Sequence, residues 1–332
     1  EWQEPSLPPL EELEQAWDAE GLVGADVLKK LLDKDWKERK TGLEMLDAAA
    51  AALPEERRTP LLALLALWKM APSAAEKNVQ VQLKMLEVVQ HVAATFPLLP
   101  RRAAARVLDF AANQLAVKQT KPAAAEALLA VAEACSASWT LGKVRDAAQA
   151  QKNPKVFHEA LVWAREAVEA FSLKALARKE VAEFAMAALE PPHRDPLVRE
   201  AAVQLLVTLH RADGPRLLES PLLKDLKEVS KKAIADSVAK LPAAQAKLPP
   251  PSRFFRHGAL QHQAAAAAPS TPGGSAAAAA AESAAALDEL SPRVDVMPLV
   301  AKKLEALRST NWKERDAALK EVLQVLKDHP RV

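Results

Sequence analysis

Five short segments of the sequence place a polar or hydrogen-bonding residue directly before a long apolar-periodic stretch. They are Asp35-Trp36, Asn78-Val79, Thr120-Lys121, Asn153-Pro154 and Asp195-Pro196. Asn and Asp here accept hydrogen bonds from the free amides of a first helical turn, and Pro as the first helical residue loses no bond. These segments therefore predict five helix starts. The chemistry they offer is non-covalent binding by an aromatic ring and by ammonium groups.

Covalent or metal chemistry has no comparable support in the sequence. The histidines are scattered, at positions 91, 158, 193, 210, 257, 262 and 329. Neither a G-x-x-x-x-G-K phosphate loop nor a G-x-G-x-x-G, H-E-x-x-H or G-x-S-x-G motif occurs. We therefore expect no enzymatic activity, no cofactor and no metal. His91 lies on an apolar helix face, where we expect a core residue.

The composition favours helices. Apolar residues make up 50% of the 332 positions but aromatic residues only 4%, so Leu, Ala and Val must do most of the packing. No stretch alternates in the manner of a half-buried strand. The net charge of +2 gives no overall field for nucleic acid or a membrane. The single cysteine, Cys135, is typical of a reducing compartment, and the cytoplasm is the expected location.

The cap residues of the five helix starts recur at intervals of 43, 42, 33 and 42 residues. Each interval contains two helix-length patterns, which is the period of a helical-hairpin solenoid, most like HEAT repeats. A sixth, shorter hairpin is predicted between residues 217 and 241. The sequence thus predicts an all-α solenoid of about six HEAT-like hairpins, in which each hairpin buries its apolar face against its neighbours.

Three regions are predicted along the chain. Residues 20–245 form the repeat domain, and residues 246–290 form a flexible linker rich in Pro and Ala, including KLPPPSRFFRHG and PSTPGGS. In residues 291–332, Trp312-Lys313-Glu314-Arg315 repeats Trp36-Lys37-Glu38-Arg39 at an offset of 276. We expect there the first repeat of a second, truncated domain. The chain is thus expected to be a fragment of a longer protein.

The segment LLDKDWKERKTGLEML and its echo LRSTNWKERDAALKEV resemble the first repeat of TOG domains of the XMAP215/Dis1 microtubule polymerases. NPKVFHEALVWAREAVEAF is similar to the fourth TOG repeat and DPLVREAAVQLLVTL to the fifth. The resemblance implies a middle pair of domains, the third and the start of the fourth. It further implies a flat paddle whose intra-repeat loops hold the αβ-tubulin heterodimer, and a place at microtubules, spindles and centrosome-like organising centres.

The residues that the resemblance assigns to tubulin binding follow those loops. They are Trp36, Lys37, Asn78, Val79, Lys121, Lys155 and Arg199, with Trp312 and Lys313 as the equivalents in the second domain. The resemblance implies that the tryptophan of the first loop and the small apolar residue of the second face β-tubulin, and that the basic residues of the later loops face α-tubulin. Spacing alone also allows Trp36 to be a core residue, Lys121 and Lys155 to be solvated surface lysines, and Arg199 to pair with a neighbouring carboxylate. Trp68, Trp139 and Trp163 are expected to serve packing.

A second class of function stays open at this point. A HEAT scaffold of the transport-receptor or phosphatase-subunit type would bind a non-tubulin partner along its concave face. It predicts functional side chains inside the curve and not at the turns. The cluster Phe254-Phe255-Arg256 allows two interpretations, a segment that docks on a partner or an adhesive patch on the flexible tether, and we favour the tether.

Overall fold

The computed structural model describes residues 7–9, 12–70, 76–214, 217, 220–224, 226–242 and 247–256. All of them belong to residues Glu1–Ala266, the first of two units into which the chain divides. They form the α-helices α1 (Leu13–Glu20), α2 (Ala25–Leu31), α3 (Trp36–Ala52), α4 (Pro60–Met70), α5 (Val79–Thr95), α6 (Arg101–Gln114), α7 (Lys121–Ala134), α8 (Ala137–Ala150), α9 (Pro154–Ala175), α10 (Arg178–Leu189), α11 (Pro196–Asp213) and α12 (Glu228–Ala239). No strand occurs in these ranges, and the all-α prediction is confirmed.

Helices α2 to α11 form five hairpins, and the second helix of each begins where the sequence predicts. Four of the five caps accept a main-chain N–H bond from the second residue of the helix: Asp35 from Lys37, Asn78 from Gln80, Asn153 from Lys155 and Asp195 from Leu197. Thr120 differs, because its buried hydroxyl donates to the carbonyl oxygen of Gln114 at 3.1 Å and caps nothing. The sixth hairpin has a 3₁₀ helix, Pro221–Leu223, before α12.

The hairpins stack in two layers. The first helices α4, α6, α8 and α10 pack in succession, and the second helices pack in the series α3–α5–α7 and α9–α11. Trp163 joins these two series, because its indole N–H donates to the Ala125 carbonyl of α7 at 3.3 Å. Its side chain is buried, as expected, and Trp68 and Trp139 pack against the same core. The apolar core runs without interruption from Leu13 to Ile234.

Polar contacts between hairpins join residues about one repeat apart. Arg39 of α3 binds Glu76, 37 residues later, and Trp163 binds Ala125 at a separation of 38. In α5, Lys84 Nζ lies 2.6 Å from Asp47 of α3, again 37 residues away. Because equivalent turns of neighbouring helices meet, the second helices are parallel and begin on the same side of the layer.

His91 corrects one expectation from the sequence. Its side chain is 57% exposed, and its Nδ1 lies 3.0 Å from the Asp47 carboxylate. The apolar stripe of α5 passes beside His91, which lies at the edge of the stripe where a polar partner on α3 is within reach. Three His, Cys, Asp or Glu side chains suited to a metal do not come together anywhere in the described ranges.

The domain described by the structure extends beyond both predicted ends. Leu13 of α1, which precedes residue 20, is fully buried, and α1 contacts α4. At the other end, residues 252 and 253 hydrogen-bond to α9, although the linker is predicted from residue 246. Every helix in the described part of the chain is too short or too polar to cross a membrane.

Candidate partner-binding edge

The starts of the second helices lie together along one border of the domain, which we call the turn edge. It comprises the intra-repeat turns 32–35, 76–78, 115–120, 151–153 and 190–195 with the first residues of the helices that follow. Contacts between neighbouring turns and helix starts hold it together. Arg39 reaches Glu76 in the second turn, Lys121 reaches Glu159 near the start of α9, and the Phe157 ring packs edge-on against His193 in the fifth turn.

Trp36 is the first residue of α3 and is neither buried nor free. Its ring is half-buried and packs against the core, and Lys37 Nζ lies 6.0 Å from the ring centroid. Leu32, in the same turn, is 72% exposed, and Val79 at the start of α5 is half-buried. The first two turns therefore present apolar surface, which is unusual in a turn and typical of contact sites.

Lys121 and Lys155 occupy equivalent helix starts but have different surroundings. Lys121 Nζ lies 2.6 Å from Glu159, whose side chain is only 12% exposed. Lys155 is exposed, and its side chain makes no ion pair within the described residues. The Lys155 ammonium group is therefore available to a partner, whereas the Lys121 ammonium group is already paired with Glu159.

Asn78 and Arg199 have structural roles in the turns. The Asn78 amide oxygen accepts from the main-chain N–H groups of Gln80 and Val81 at 2.9 and 3.4 Å. The Arg199 guanidinium donates to the carbonyls of His193 and Arg194 and so braces its own turn. Within the part of the chain that the structure describes, it does not form the carboxylate pair that the sequence allowed. Both side chains stabilise their turns of the edge. At least one N–H group of Arg199 is already hydrogen-bonded within its own turn.

Arg39 is an edge residue that sequence reasoning missed. It lies four residues after its cap, as Arg199 does, and donates in the same way to the carbonyls of Asp33 and Lys34. It also makes a two-point contact with Glu76, with N···O distances of 2.7 and 3.0 Å. The signal that could have found it is the shared spacing of Asp, three residues and Arg in the first and fifth repeats.

The Glu76 carboxylate is held in its charged form although it is nearly buried. Burial by itself raises its pKa, but the hydrogen bonds from the Arg39 guanidinium and from the main-chain N–H of Asn78 outweigh burial and hold the pKa of Glu76 below its ordinary value. This ion pair ties the first turn to the second.

Each turn also presents a cation that the sequence reasoning passed over. Basic residues stand directly before four of the caps and two positions before Thr120, and all are exposed: Lys34, Lys77, Lys118, Lys152 and Arg194. The edge carboxylates Asp33, Asp35 and Asp195 accept main-chain N–H groups of their own turns. The turns also contain Glu76 and Glu190, so their five carboxylates balance their five cations. The positive excess of the edge comes from Lys37, Lys121 and Lys155 at the helix starts. The exposed cations project into water, where an anionic partner surface can reach them.

Trp312 and Lys313 lie outside the described residues. Between α9 and α11, beside the 57% exposed Leu197, the surface has a shallow pocket of about 250 Å³. Ligand pockets are usually larger, about 300–1,000 Å³. The edge is therefore better suited to a protein surface than to a small molecule.

The family model described as XMAP215/Dis1/CLASP, TOG domain matches residues 25–237. The chain belongs to this TOG-domain family. The match begins at the first residue of α2 and ends within α12, so it covers all five hairpins and the turn edge between them.

Named relatives agree with this assignment. Protein MOR1 of rice, Oryza sativa subsp. japonica, is 30% identical over 212 residues, which are 64% of this chain and 10% of MOR1. Protein mini spindles of Drosophila melanogaster is 28% identical over 331 residues, covering 96% of this chain and 15% of mini spindles. The chain therefore spans only about a tenth to a seventh of the length of these relatives.

A solved TOG domain has the same fold. The structure of Drosophila melanogaster Mini spindles TOG3 is 27% identical, with a TM-score of 0.61, and the similarity covers 70% of this chain and 99% of that one. The resemblance stated from the tryptophan-bearing segments is confirmed, as is the HEAT-like architecture.

Proposed function

We propose that this TOG domain binds the αβ-tubulin heterodimer through its turn edge, and that it does so without catalysis. The observation that carries the proposal is the half-buried Trp36 ring at the first turn of a border lined with exposed cations. Tubulin binding is the activity of the family to which the chain belongs. A large ring anchored in the core loses little conformational freedom when a partner covers its exposed face.

The two ends of the edge have different chemistry and suit different parts of the partner. Trp36, Lys37 and Val79 offer an apolar patch with one cation, which the family resemblance assigns to β-tubulin. Lys121, Lys155 and Arg199 follow at the later turns and would face α-tubulin. Asn78 acts by shaping the second turn. Trp312 and Lys313 would repeat the first turn in the second domain.

We further propose that the repeat domain, residues 20–245 with the extensions described above, is joined by residues 246–290 to a second TOG-like domain that begins in residues 291–332. The match to mini spindles supports this organisation because it extends over nearly the whole chain. Linked domains raise the local concentration of bound tubulin near a growing microtubule end without any new contact. The protein would act as part of a microtubule polymerase or plus-end regulator at microtubules and spindles.

The alternative of a peptide-binding scaffold of another class has less support. Such a scaffold would use the face formed by its second helices. In this chain, residues 252–256 already contact α5, α7 and α9 on that face. The hydrogen bonds and ion pairs of Ser252, Arg253 and Arg256 reach these helices and not the turn edge.

The proposal is tested by gel filtration of the chain with αβ-tubulin. We expect the wild type to co-elute at micromolar concentrations. We expect Trp36→Glu to weaken binding at least tenfold, because truncating or charging an aromatic anchor of an interface costs about 2 kcal/mol or more. Failure of the wild type to co-elute would refute soluble-tubulin binding.

Because Trp36 also packs against the core, Trp36→Glu could weaken binding by destabilising the fold. A second variant should therefore change only an exposed side chain. Lys155→Glu reverses a charge on the edge, and the matched control Lys143→Glu reverses another exposed charge, on α8. Weaker binding for Lys155→Glu with wild-type binding for Lys143→Glu supports the edge. Equal binding by both variants would remove Lys155 from the site. Circular dichroism and thermal melting of the three variants, Trp36→Glu, Lys155→Glu and Lys143→Glu, report on folding.

A further inference from the structure

Residues 252–256 return across the layer of second helices after α12 has ended. The main-chain N–H groups of Ser252 and Arg253 both donate to the Ala170 carbonyl of α9, each at 3.0 Å. Farther along, the Arg256 guanidinium donates to the Ala94 carbonyl near the end of α5 at 2.8 Å. The segment thus crosses from α9 to α5, against the order of the repeats.

The Ala170 carbonyl is available because α9 is interrupted two residues later. Ser172 has φ 61° and ψ 174°, outside helical values and in a region that non-glycine residues seldom adopt. A helical bond from residue 174 to Ala170 requires helical dihedrals in between, so this break frees the carbonyl. The main-chain N–H groups of Ser252 and Arg253 take the place of the N–H group of residue 174 as donors to the Ala170 carbonyl. The interruption of α9 and the docked segment therefore belong to one arrangement.

Arginine side chains add two charged anchors. The Arg253 guanidinium lies between two carboxylates of α7, 2.6 Å from Glu126 and 3.2 Å from Glu133. Arg256 lies 3.6 Å from the same Glu133. Burial by itself lowers the pKa of Arg253, but the bonds to Glu126 and Glu133 outweigh burial and raise it, so the guanidinium is held in its charged form. Charge-assisted pairs of this kind are the stronger hydrogen bonds in proteins.

We infer that residues 252–256 form an intramolecular clasp, in which Ser-Arg-Phe-Phe-Arg binds the second-helix face as a peptide ligand and fixes where the chain leaves the repeat domain. The binding surface consists of the Ala94 and Ala170 carbonyls and the carboxylates of Glu126 and Glu133. Its occupant is this chain's own segment, which matches the surface in charge and in main-chain donors.

The clasp moves the exit point of the chain. Lys247, Leu248 and Pro249 line a cleft with His210 of α11, beside the last helices, whereas Arg256 contacts α5. Ten residues of extended chain span about 30 Å. When the clasp is closed, the chain after residue 256 starts from the second and third hairpins. When the clasp is open, it starts from the sixth. This inference does not depend on tubulin binding.

Chymotrypsin cleavage of the 332-residue chain at Phe254 and Phe255 tests the clasp. Both bonds lie inside it, and Glu126→Gln with Glu133→Gln weakens it without altering the cleaved segment. We expect this double variant to be cut about tenfold faster, because cleavage tracks the open population and the variant loses two charge-assisted contacts. Glu56→Gln with Glu200→Gln is the matched control: both residues are exposed, and the charge change is the same. We expect wild-type cleavage for the control.

A charge exchange separates opening of the clasp from unfolding of the domain. Arg253→Glu with Arg256→Glu should open the clasp, and adding Glu126→Arg with Glu133→Arg should close it again. Amide hydrogen exchange at positions 252 and 253 should rise about tenfold in the first protein and return toward the wild-type rate in the second. A wild-type rate of cleavage in the Glu126→Gln, Glu133→Gln double variant would overturn the clasp. So would a charge exchange that gives no recovery, or cleavage that spreads at once to the buried Phe96 and Phe184.

Discussion

Arg39 and Glu76 show how single residues make a solvated border rigid. Glu76 is nearly buried, with its side chain 4% exposed, and its carboxylate accepts hydrogen bonds from the Arg39 guanidinium and from the main-chain N–H of Asn78. Arg39 in turn braces the carbonyls of the first turn. These bonds hold the turn that immediately precedes Trp36 before any partner arrives, and a preorganised turn lowers the entropic cost of binding.

The pH dependence of stability tests this pair. The pKa of Glu76 in the fold lies below its ordinary value of 4.5. Its stabilisation is therefore complete above that value and is lost as the pH falls through the lower, folded-state pKa. We expect Glu76→Gln to lower the free energy of unfolding by about 1–3 kcal/mol at pH 7. Urea titrations should show the difference from wild type constant above about pH 5 and shrinking below it. A difference independent of pH would contradict the assignment.

At the scale of elements, the first hairpin depends on a close approach between two helices. Gly42 of α3 is buried, and a Cβ added to it would lie 2.9 Å from the main-chain nitrogen of Leu31 in α2. The main chain of Leu31 cannot move away from an added Cβ as the end of a flexible side chain could. Gly42 therefore brings α2 against α3 and sets the geometry of the turn that precedes Trp36.

Two glycine substitutions give opposite predictions. Ala is favoured over Gly inside a helix by about 1 kcal/mol. At Gly142 in α8, a Cβ meets nothing within 4 Å, so Gly142→Ala should raise the free energy of unfolding by about 0.5–1 kcal/mol. Gly42→Ala should lower it by about 1–3 kcal/mol, because overpacking outweighs propensity. Denaturant titration of both variants measures the difference. Stabilisation by Gly42→Ala would show that α2 and α3 can separate without cost.

For the molecule as a whole, the repeat places one exposed cation before each cap, so five basic groups line one border. Individually each is an ordinary surface residue. Together with Lys37, Lys121 and Lys155 at the helix starts, they outnumber the five carboxylates of the same turns, an excess that the overall net charge of +2 does not reveal. The uneven distribution of charge, and not its sum, is the property that a partner would encounter.

Association with tubulin should accordingly depend on salt. Exposed charges are screened over about 10 Å at 0.1 M ionic strength and about 3 Å at 1 M. We expect the association rate to fall at least tenfold between 50 and 300 mM NaCl. The double variant Lys34→Glu with Lys152→Glu should be slow at low salt and nearly insensitive to it. Stopped-flow measurements decide this, with Lys143→Glu as the control. An association rate that stays constant with salt would exclude steering by the edge.

The sequence by itself determined the local features of this protein. Cap residues and apolar stripes act within a few positions, so the starts of α3, α5, α7, α9 and α11 could be predicted to the residue, and the repeated tryptophan segment pointed to the family. The sequence left open whether Trp36 is a core residue or an exposed binding residue, and its half-buried ring lies between these two alternatives.

Only the tertiary structure decided which distant groups meet. Arg39 with Glu76, His91 with Asp47 and Lys121 with Glu159 join residues of neighbouring repeats, and Arg253 reaches Glu126 across 127 positions. Such pairs depend on how the hairpins stack and on the break in α9. A periodic pattern records which face of a helix is apolar, but it does not record which polar groups of other helices the stacking brings within reach.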